Sequence, residues 1–258
     1  MNRTGLIITL TIAAVVGLVF GLHPQLDVAV SRPFYRILYH KHYVFGMRLW
    51  PNLMLVHVFA LRSIFILVAP AIAAVIGKIL FPRRKMLISG RAAFFLIATI
   101  VLGPGLLVNV ALKNHWGRPR PIDIVQYGGN QHFVAWWDPR GDCPANCSFV
   151  SGDVATAAWS LAPAALAPPR WRLVAYGVAF AFTAAMAAMR IIAGGHFLTD
   201  TVFAGVFTFL LIWLVHGPLY RWPPPLSDAA IKRAIARSTL PICEFMASVA
   251  GGKREPRA

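Results

Sequence analysis

The sequence predicts an all-α, polytopic membrane protein with six transmembrane helices, and three observations carry that expectation. Six apolar blocks, each near the ~20 residues a helix needs to cross hydrocarbon, divide a chain of 258 residues. Only 13% of the residues are charged and 58% are hydrophobic, with a mean hydropathy of +0.63, whereas a soluble domain is about a quarter charged. The basic residues fall mostly in the gaps between blocks, and their density alternates from one gap to the next.

The blocks cover residues 4–22, 54–80, 92–112, 151–167, 173–189 and 197–215. Backbone polar groups in hydrocarbon must be bonded within their own segment, so blocks of this kind are helices. Arg3 precedes the first block as it would in a signal peptide. The apolar stretch is long, however, and no small-x-small cleavage site stands near Gly21, so a retained first helix is expected.

Orientation follows from Lys and Arg. The gaps on one side, with the two termini, hold fifteen of them and the gaps on the other side nine, which places both termini in the cytoplasm and three loops outside. The net charge of +16 is accounted for by anionic lipid head groups facing those gaps. No single basic face or arm is present, so nucleic acid is not an expected partner. The expected partners are the bilayer and a phospholipid or lipid phosphate.

The first outer loop mixes Phe34, Tyr35, Tyr39, Tyr43, Phe45 and Trp50 with basic residues, a composition suited to the membrane interface. It reads either as a structural anchor or as an interfacial helix that admits a head group. Residues 1–217 form the expected membrane domain, and 218–258 a basic cytoplasmic tail. Within that tail Ser227 is placed to cap a short surface helix, with Ile231, Ala234 and Ile235 on one face. Of three cysteines, Cys143 and Cys147 share an outer loop, either bridged or as two unpaired thiols, and Cys243 lies in the tail.

Three polar clusters fall on the outer side. The first is Lys113-Asn-His-Trp-Gly-Arg-Pro-Arg120-Pro121, the second Ser148-Phe-Val-Ser151-Gly152-Asp153, and the third Arg190-Ile-Ile-Ala-Gly-Gly-His196-Phe-Leu-Thr-Asp200. A phosphoryl group in transfer spreads negative charge over three oxygens, so fixed cations and N–H donors do most of the work. Lys113, Arg120 and Arg190 are the cations. Ser151 and Gly152 open a helix, where amides favour an anion and glycine lets the backbone come close. His196 and Asp200, four apart at a helix start, share a face, so that a carboxylate on one ring nitrogen would leave the other free to attack phosphorus. Taken singly these patterns are usually a cap, a solvated loop or a local hydrogen bond. Their joint occurrence around one bundle is what points to phosphoryl chemistry.

At these residues the sequence resembles the type 2 phosphatidic acid phosphatase superfamily, which also contains vanadium haloperoxidases. The family pattern Lys-x6-Arg-Pro is met by Lys113, Arg120 and Pro121. Ser-Arg-x5-His-x3-Asp is met by Arg190, His196 and Asp200, with Met189 in the place of the serine. The resemblance implies a helical membrane bundle and a histidine nucleophile at His196 oriented by Asp200. It also implies phosphate held by Lys113, Arg120, Ser151, Gly152 and Arg190. No metal and no cofactor are expected, because the histidines lack ligand-like spacing and the two close cysteines have no obvious partners. The stretch from Cys147 to Asp153 resembles bacterial lipid A phosphatases, which favours a lipid A phosphate as substrate and the outer face of a bacterial inner membrane, the periplasmic side, as location. Undecaprenyl diphosphate, phosphatidylglycerol phosphate and phosphatidic acid are the other candidates within the family.

The departure is Val150-Ser151-Gly152-Asp153 in place of Pro-Ser-Gly-His, which puts Asp153 where the family has its general acid. Asp153 would need burial to act as an acid against its cationic neighbours, or it would activate water in its ionised form. Alternatively His115 or His132 donates the proton, or a diphosphate leaving group needs none. Two further functions remain open: transfer of the phosphoryl group to a lipid acceptor, and lipid binding without catalysis. Arg62, inside the second block, is either a functional intramembrane charge or a snorkelling side chain.

Overall fold

A computed structural model describes residues 2–35, 37–39, 42–46, 51–81, 84–223 and 226–235. Arg36, Lys41, Arg48, Trp50, Arg83, the tail from 236 with Cys243, and the side chains of Tyr39 and Tyr43 lie outside the described residues.

Helix α1 (Arg3–Leu22) starts where the Asn2 side chain accepts from the Gly5 amide at 3.0 Å, the hydrogen bond of an N-cap. It buries none of its residues and exposes Ile7, Leu18 and Leu22, as a helix bathed in lipid does. Helix α2 (Gln25–Tyr35) follows, then a two-stranded hairpin of β1 (Ile37–Tyr39) and β2 (His42–Val44) in the register Ile37↔Val44 and Tyr39↔His42. Next come α3 (Pro51–Leu80) and α4 (Gly90–Ile100).

The chain from Val101 to Leu112 continues α4 with wider π-type turns. Pro104 explains the change, because it has no N–H to donate and its ring obstructs the carbonyl one turn back. The Asn109 side chain bonds the Pro104 carbonyl at 2.7 Å, and the segment closes with the Lys113 amide on the Val108 carbonyl. One further turn, α5 (Lys113–His115), leads into the long outer loop.

The block at 151–167 forms two short helices, α6 (Gly152–Ala158) and α7 (Leu161–Leu166). Pro163 cannot bond back to Trp159, and the chain turns tightly there with the Ala162 amide on the Trp159 carbonyl at 2.8 Å. Nine of the thirteen residues of α6 and α7 are buried, and Trp159 donates to Thr99 at 2.9 Å. The remaining helices are α8 (Pro169–Ile192) and α9 (Leu198–His216), the latter extended by wider turns from Gly217 to Arg221. Among the described residues, five helical stretches are long and apolar enough to span a membrane: Arg3–Leu22, Met54–Leu80, Gly90–His115, Pro169–Ile192 and Leu198–Arg221. Apart from the small hairpin, the regular elements among the described residues are all helical.

By its internal contacts the chain divides into two units. Residues 1–67 and 98–215 make the larger one. Its apolar centre gathers Val108, Phe149, Val150, Val154 and Phe203, with Trp116 stacked on Phe149 at 4.8 Å and Trp136 on Phe203 at 4.4 Å. A second cluster joins Phe45, Ile124, Tyr127 and Phe197, with Phe34 and Tyr35 of the aromatic outer loop packed against it. Residues 68–97 and 216–258 make the smaller unit. There Ser227 caps a helix over 228–235, accepting from the Ala230 amide at 3.1 Å, and Ile231 on it is buried. Asp228 receives the Arg91 amide at 3.0 Å and pairs with Lys232 at 2.6 Å, while Phe95, His216 and Tyr220 stack edge to face or tilted.

Candidate active site

Main-chain hydrogen bonds lace the three polar clusters into one structure. The Cys147 amide donates to the Lys113 carbonyl at 3.0 Å and the Ser148 amide to the Arg118 carbonyl at 2.8 Å, joining the first cluster to the second. The Ser151 amide donates to the Asp200 carbonyl at 3.2 Å, joining the second to the third, and the Ile122 amide meets the Gly194 carbonyl at 3.1 Å. Gly194 has φ +67°, and a Cβ there would stand 2.4 Å from the Phe45 ring. Only glycine allows that ring to press on the loop carrying His196.

His196 is buried between α8 and α9. Its Nδ1–H donates to the Ser148 carbonyl at 2.8 Å, which leaves Nε2 with the free lone pair. Asp200 stands 3.9 Å from Nδ1, so the nearer partner of the ring is the carbonyl rather than the carboxylate. Burial first, then the fields of Arg190, Arg120 and Lys113, push the imidazole well below the ordinary histidine range, with Asp153 opposing them. The ring is therefore neutral at neutral pH, the form in which a nitrogen can attack.

Asp200 is itself held by three donors: Ser148 Oγ at 2.5 Å, the Phe197 amide at 2.8 Å and Arg118 Nη1 at 2.5 Å. Arg118 is fully buried and reaches Asp27 on α2 through Nη2 at 2.8 Å, Thr199 at 2.8 Å and the Val134 carbonyl at 3.2 Å. Asp27 also accepts from the Thr199 amide at 3.1 Å and its hydroxyl at 2.6 Å. A guanidinium thus sits between two sealed carboxylates, with the Phe197 ring 4.5 Å below it.

Lys113 and Arg120 converge on one residue, Asn146. Lys113 Nζ donates to its side-chain oxygen at 3.2 Å, and Arg120 Nη2 to its carbonyl at 2.8 Å. Asn146 takes φ +51° in the short loop that the Cys143–Cys147 disulfide closes. Ser151 caps α6, accepting from the Val154 amide at 3.4 Å. A Cβ on Gly152 would meet Asn109 at 2.6 Å and Lys113 Nζ at 3.2 Å, so a glycine is what brings this backbone against the lysine.

Asp153 lies between Arg190 and His57. Arg190 Nε is 3.1 Å and His57 Nε2 3.2 Å from the same carboxylate oxygen, Oδ2, both stabilising the ionised form. The Asp153 side chain keeps 28% exposure while His57 and Arg190 keep 7% and 13%, so the carboxylate is the member of the group open to a ligand. His115 and His132 have partners of their own, the Ala111 carbonyl at 2.8 Å and Asp142 at 3.0 Å, and both are exposed. Arg62 is exposed on α3.

Sequence reasoning singled out eight residues, and the structure brings them together. It missed His57, Asp27, Arg118, Ser148 and Asn146. Two of these carried signals: Asp27 is the only acidic residue before Asp123, and His57 is an ionisable residue inside an apolar span. Among the described residues no group of three or more His, Cys, Asp or Glu side chains is placed to hold a metal ion.

A model of the PAP2 superfamily matches residues 91–222. A lipid A 4'-phosphatase of Francisella tularensis subsp. novicida (strain U112) is 32% identical over 222 residues, covering 86% of this chain and 98% of that protein. A lipid A 4'-phosphatase of Rhizobium leguminosarum is 42% identical over 106 residues, covering 41% of this chain and 46% of that protein. The one from Rhizobium etli is 41% identical over 104 residues, covering 40% of each chain. No solved structure matches.

Proposed function

The chain belongs to the PAP2 superfamily, and we propose that it is a membrane lipid phosphatase that removes a phosphate from lipid A at the outer face of the bacterial inner membrane. The similarity to lipid A 4'-phosphatases along nearly the whole length of the Francisella protein supports the substrate. The excess of Lys and Arg in the opposite gaps supports an outward-facing site and cytoplasmic termini.

His196 is the nucleophile in this reading. The single observation that carries it is a buried imidazole whose Nδ1–H is spent on the Ser148 carbonyl, leaving a neutral Nε2 among Lys113, Arg120 and Arg190. Nε2 attacks phosphorus, a P–N bond forms as the bond to the lipid oxygen breaks, and water then cleaves the phosphohistidine. Asp200, 3.9 Å from the ring, stabilises the positive charge that the ring acquires. Lys113, Arg120 and Arg190, with the backbone at Ser151 and Gly152, hold the phosphate oxygens. Asp153, beside Arg190, serves proton transfer at the leaving oxygen and later at water. Three fixed cations supply the positive charge a metal would otherwise bring, so turnover proceeds in EDTA.

The test is phosphate release from purified lipids in detergent with EDTA: lipid A, undecaprenyl diphosphate, phosphatidylglycerol phosphate and phosphatidic acid. Wild type is expected to release phosphate from lipid A, and His196→Ala from none. Release by His196→Ala at the wild-type rate would remove the phosphohistidine. Turnover that requires a divalent cation would remove the metal-free mechanism.

A further inference from the structure

His57 sits about two turns inside α3, in a stretch whose neighbours are Met54, Leu55, Val56, Val58 and Phe59. A buried imidazole in such a helix is costly unless it is paired. Its Nδ1 has no hydrogen-bond partner among the described residues, and its polar contact is Nε2 on Asp153 at 3.2 Å. Packing alone would be better served by leucine or phenylalanine, and the carboxylate is the contact that accounts for a polar ring here.

Asp153 has its own setting. It follows Gly152, whose backbone touches Lys113, and it pairs with Arg190, both assigned above to the phosphate. A carboxylate between cations holds a proton poorly by itself. His57 Nε2 lies 3.2 Å behind it, within reach to exchange a proton with its Oδ2. The second motif puts a carboxylate at the site, and a helix distant in sequence brings an imidazole to that carboxylate.

We infer that His57 and Asp153 form a two-residue proton relay, in which His57 positions and recharges Asp153 as the donor to the departing lipid oxygen. As the P–O bond breaks, the Nε2 proton of the His57 imidazolium passes to the Asp153 carboxylate and from it to the leaving alkoxide, which departs as an alcohol. The relay is left as neutral imidazole and carboxylate. In the second step water loses a proton to the relay as its oxygen bonds phosphorus and the P–N bond breaks, which restores the starting charge. This inference rests on the phosphohistidine reading above.

Leaving-group dependence separates a proton relay from a structural histidine. The full-length protein in detergent is given dodecyl phosphate, whose alkoxide needs a proton, or p-nitrophenyl phosphate, whose phenolate does not, and release of the first equivalent of alcohol or phenol is timed. His57→Gln is expected to slow dodecyl phosphate by about 100-fold or more and p-nitrophenyl phosphate by less than about threefold. Retained cleavage of the aryl ester reports that the variant is folded. Equal losses on both substrates, or no loss on either, overturn the relay. Asp153→Asn breaks the same pair from the other side and is expected to show the same selectivity, so a His57→Gln protein that does not fold leaves the question answerable. His196→Ala should lose both substrates; if it retains them, the phosphohistidine reading fails rather than the relay.

Discussion

Two aspartates of this site, Asp200 and Asp153, differ in almost everything but residue type. Asp200 is sealed: its side chain has 0% exposure, and Arg118, Ser148 and the Phe197 amide occupy its oxygens. Asp153 is 28% exposed, and its two partners, Arg190 and His57, meet at one oxygen, Oδ2. The sealed carboxylate belongs to a network that also contains Asp27, Arg118 and Thr199, so it holds position and charge. The open one is the carboxylate that solvent reaches, with the His57 ring 3.2 Å behind it. Saturated hydrogen bonding suits a scaffold, whereas partial exposure leaves an oxygen free for a ligand.

The comparison can be broken most severely at Arg118. Replacing it by methionine leaves Asp27 and Asp200 buried without their shared cation, an expected loss of about 3–5 kcal/mol. A melting temperature in detergent close to wild type would show that this network is not a scaffold. No substitution at Asp153 is expected to cost as much stability, because water reaches that carboxylate.

A smaller effect sharpens the contrast through pH. The folded site holds His196 below the ordinary histidine range, so the unfolded chain takes up a proton that the folded site refuses. The stability from this residue is therefore complete above the ordinary histidine pKa and falls as pH drops below it. The melting temperature is expected to decline from about pH 7 to pH 5, and the decline to shrink in His196→Gln. An equal decline in both proteins would remove the burial of His196 beside these cations as its cause. The acid limb of kcat/KM should likewise lie below the ordinary histidine value.

The smallest effect is expected at the disulfide. The double variant Cys143→Ser, Cys147→Ser frees Asn146, which aligns Lys113 and Arg120, while leaving both aspartates untouched. KM should rise by about threefold with less change in kcat, as when binding rather than chemistry is loosened. A dominant loss of kcat would instead place the loop in the chemical step.

How far the fold was legible varies with the element. The blocks at 4–22, 54–80 and 173–189 correspond to α1, α3 and α8, because length and apolarity are all that a lipid-facing helix requires. The block at 151–167 is also largely apolar, yet it is the pair α6 and α7, buried against protein. Hydropathy reports the absence of water and cannot distinguish lipid from packed side chains; Pro163 was the local sign of the break.

The site divides in the same way. Lys113, Arg120, Ser151, Gly152, Arg190, His196 and Asp200 are readable because their spacing within short segments fits what phosphoryl chemistry is expected to need, and Asp153 is readable as the place where the pattern changes. His57 lies 96 residues from Asp153, and Asp27 91 residues from Arg118, so no spacing rule links them.

By itself, then, the sequence determined a helical membrane protein, three polar clusters and a histidine suited to phosphoryl chemistry. All of these follow from composition and local period, which the chain carries before it folds. The tertiary structure alone decided what stands behind each carboxylate. It put Arg118 and Asp27 behind Asp200, and His57 behind Asp153, because a buried charge takes its partner from whichever helix packing brings within about 3 Å.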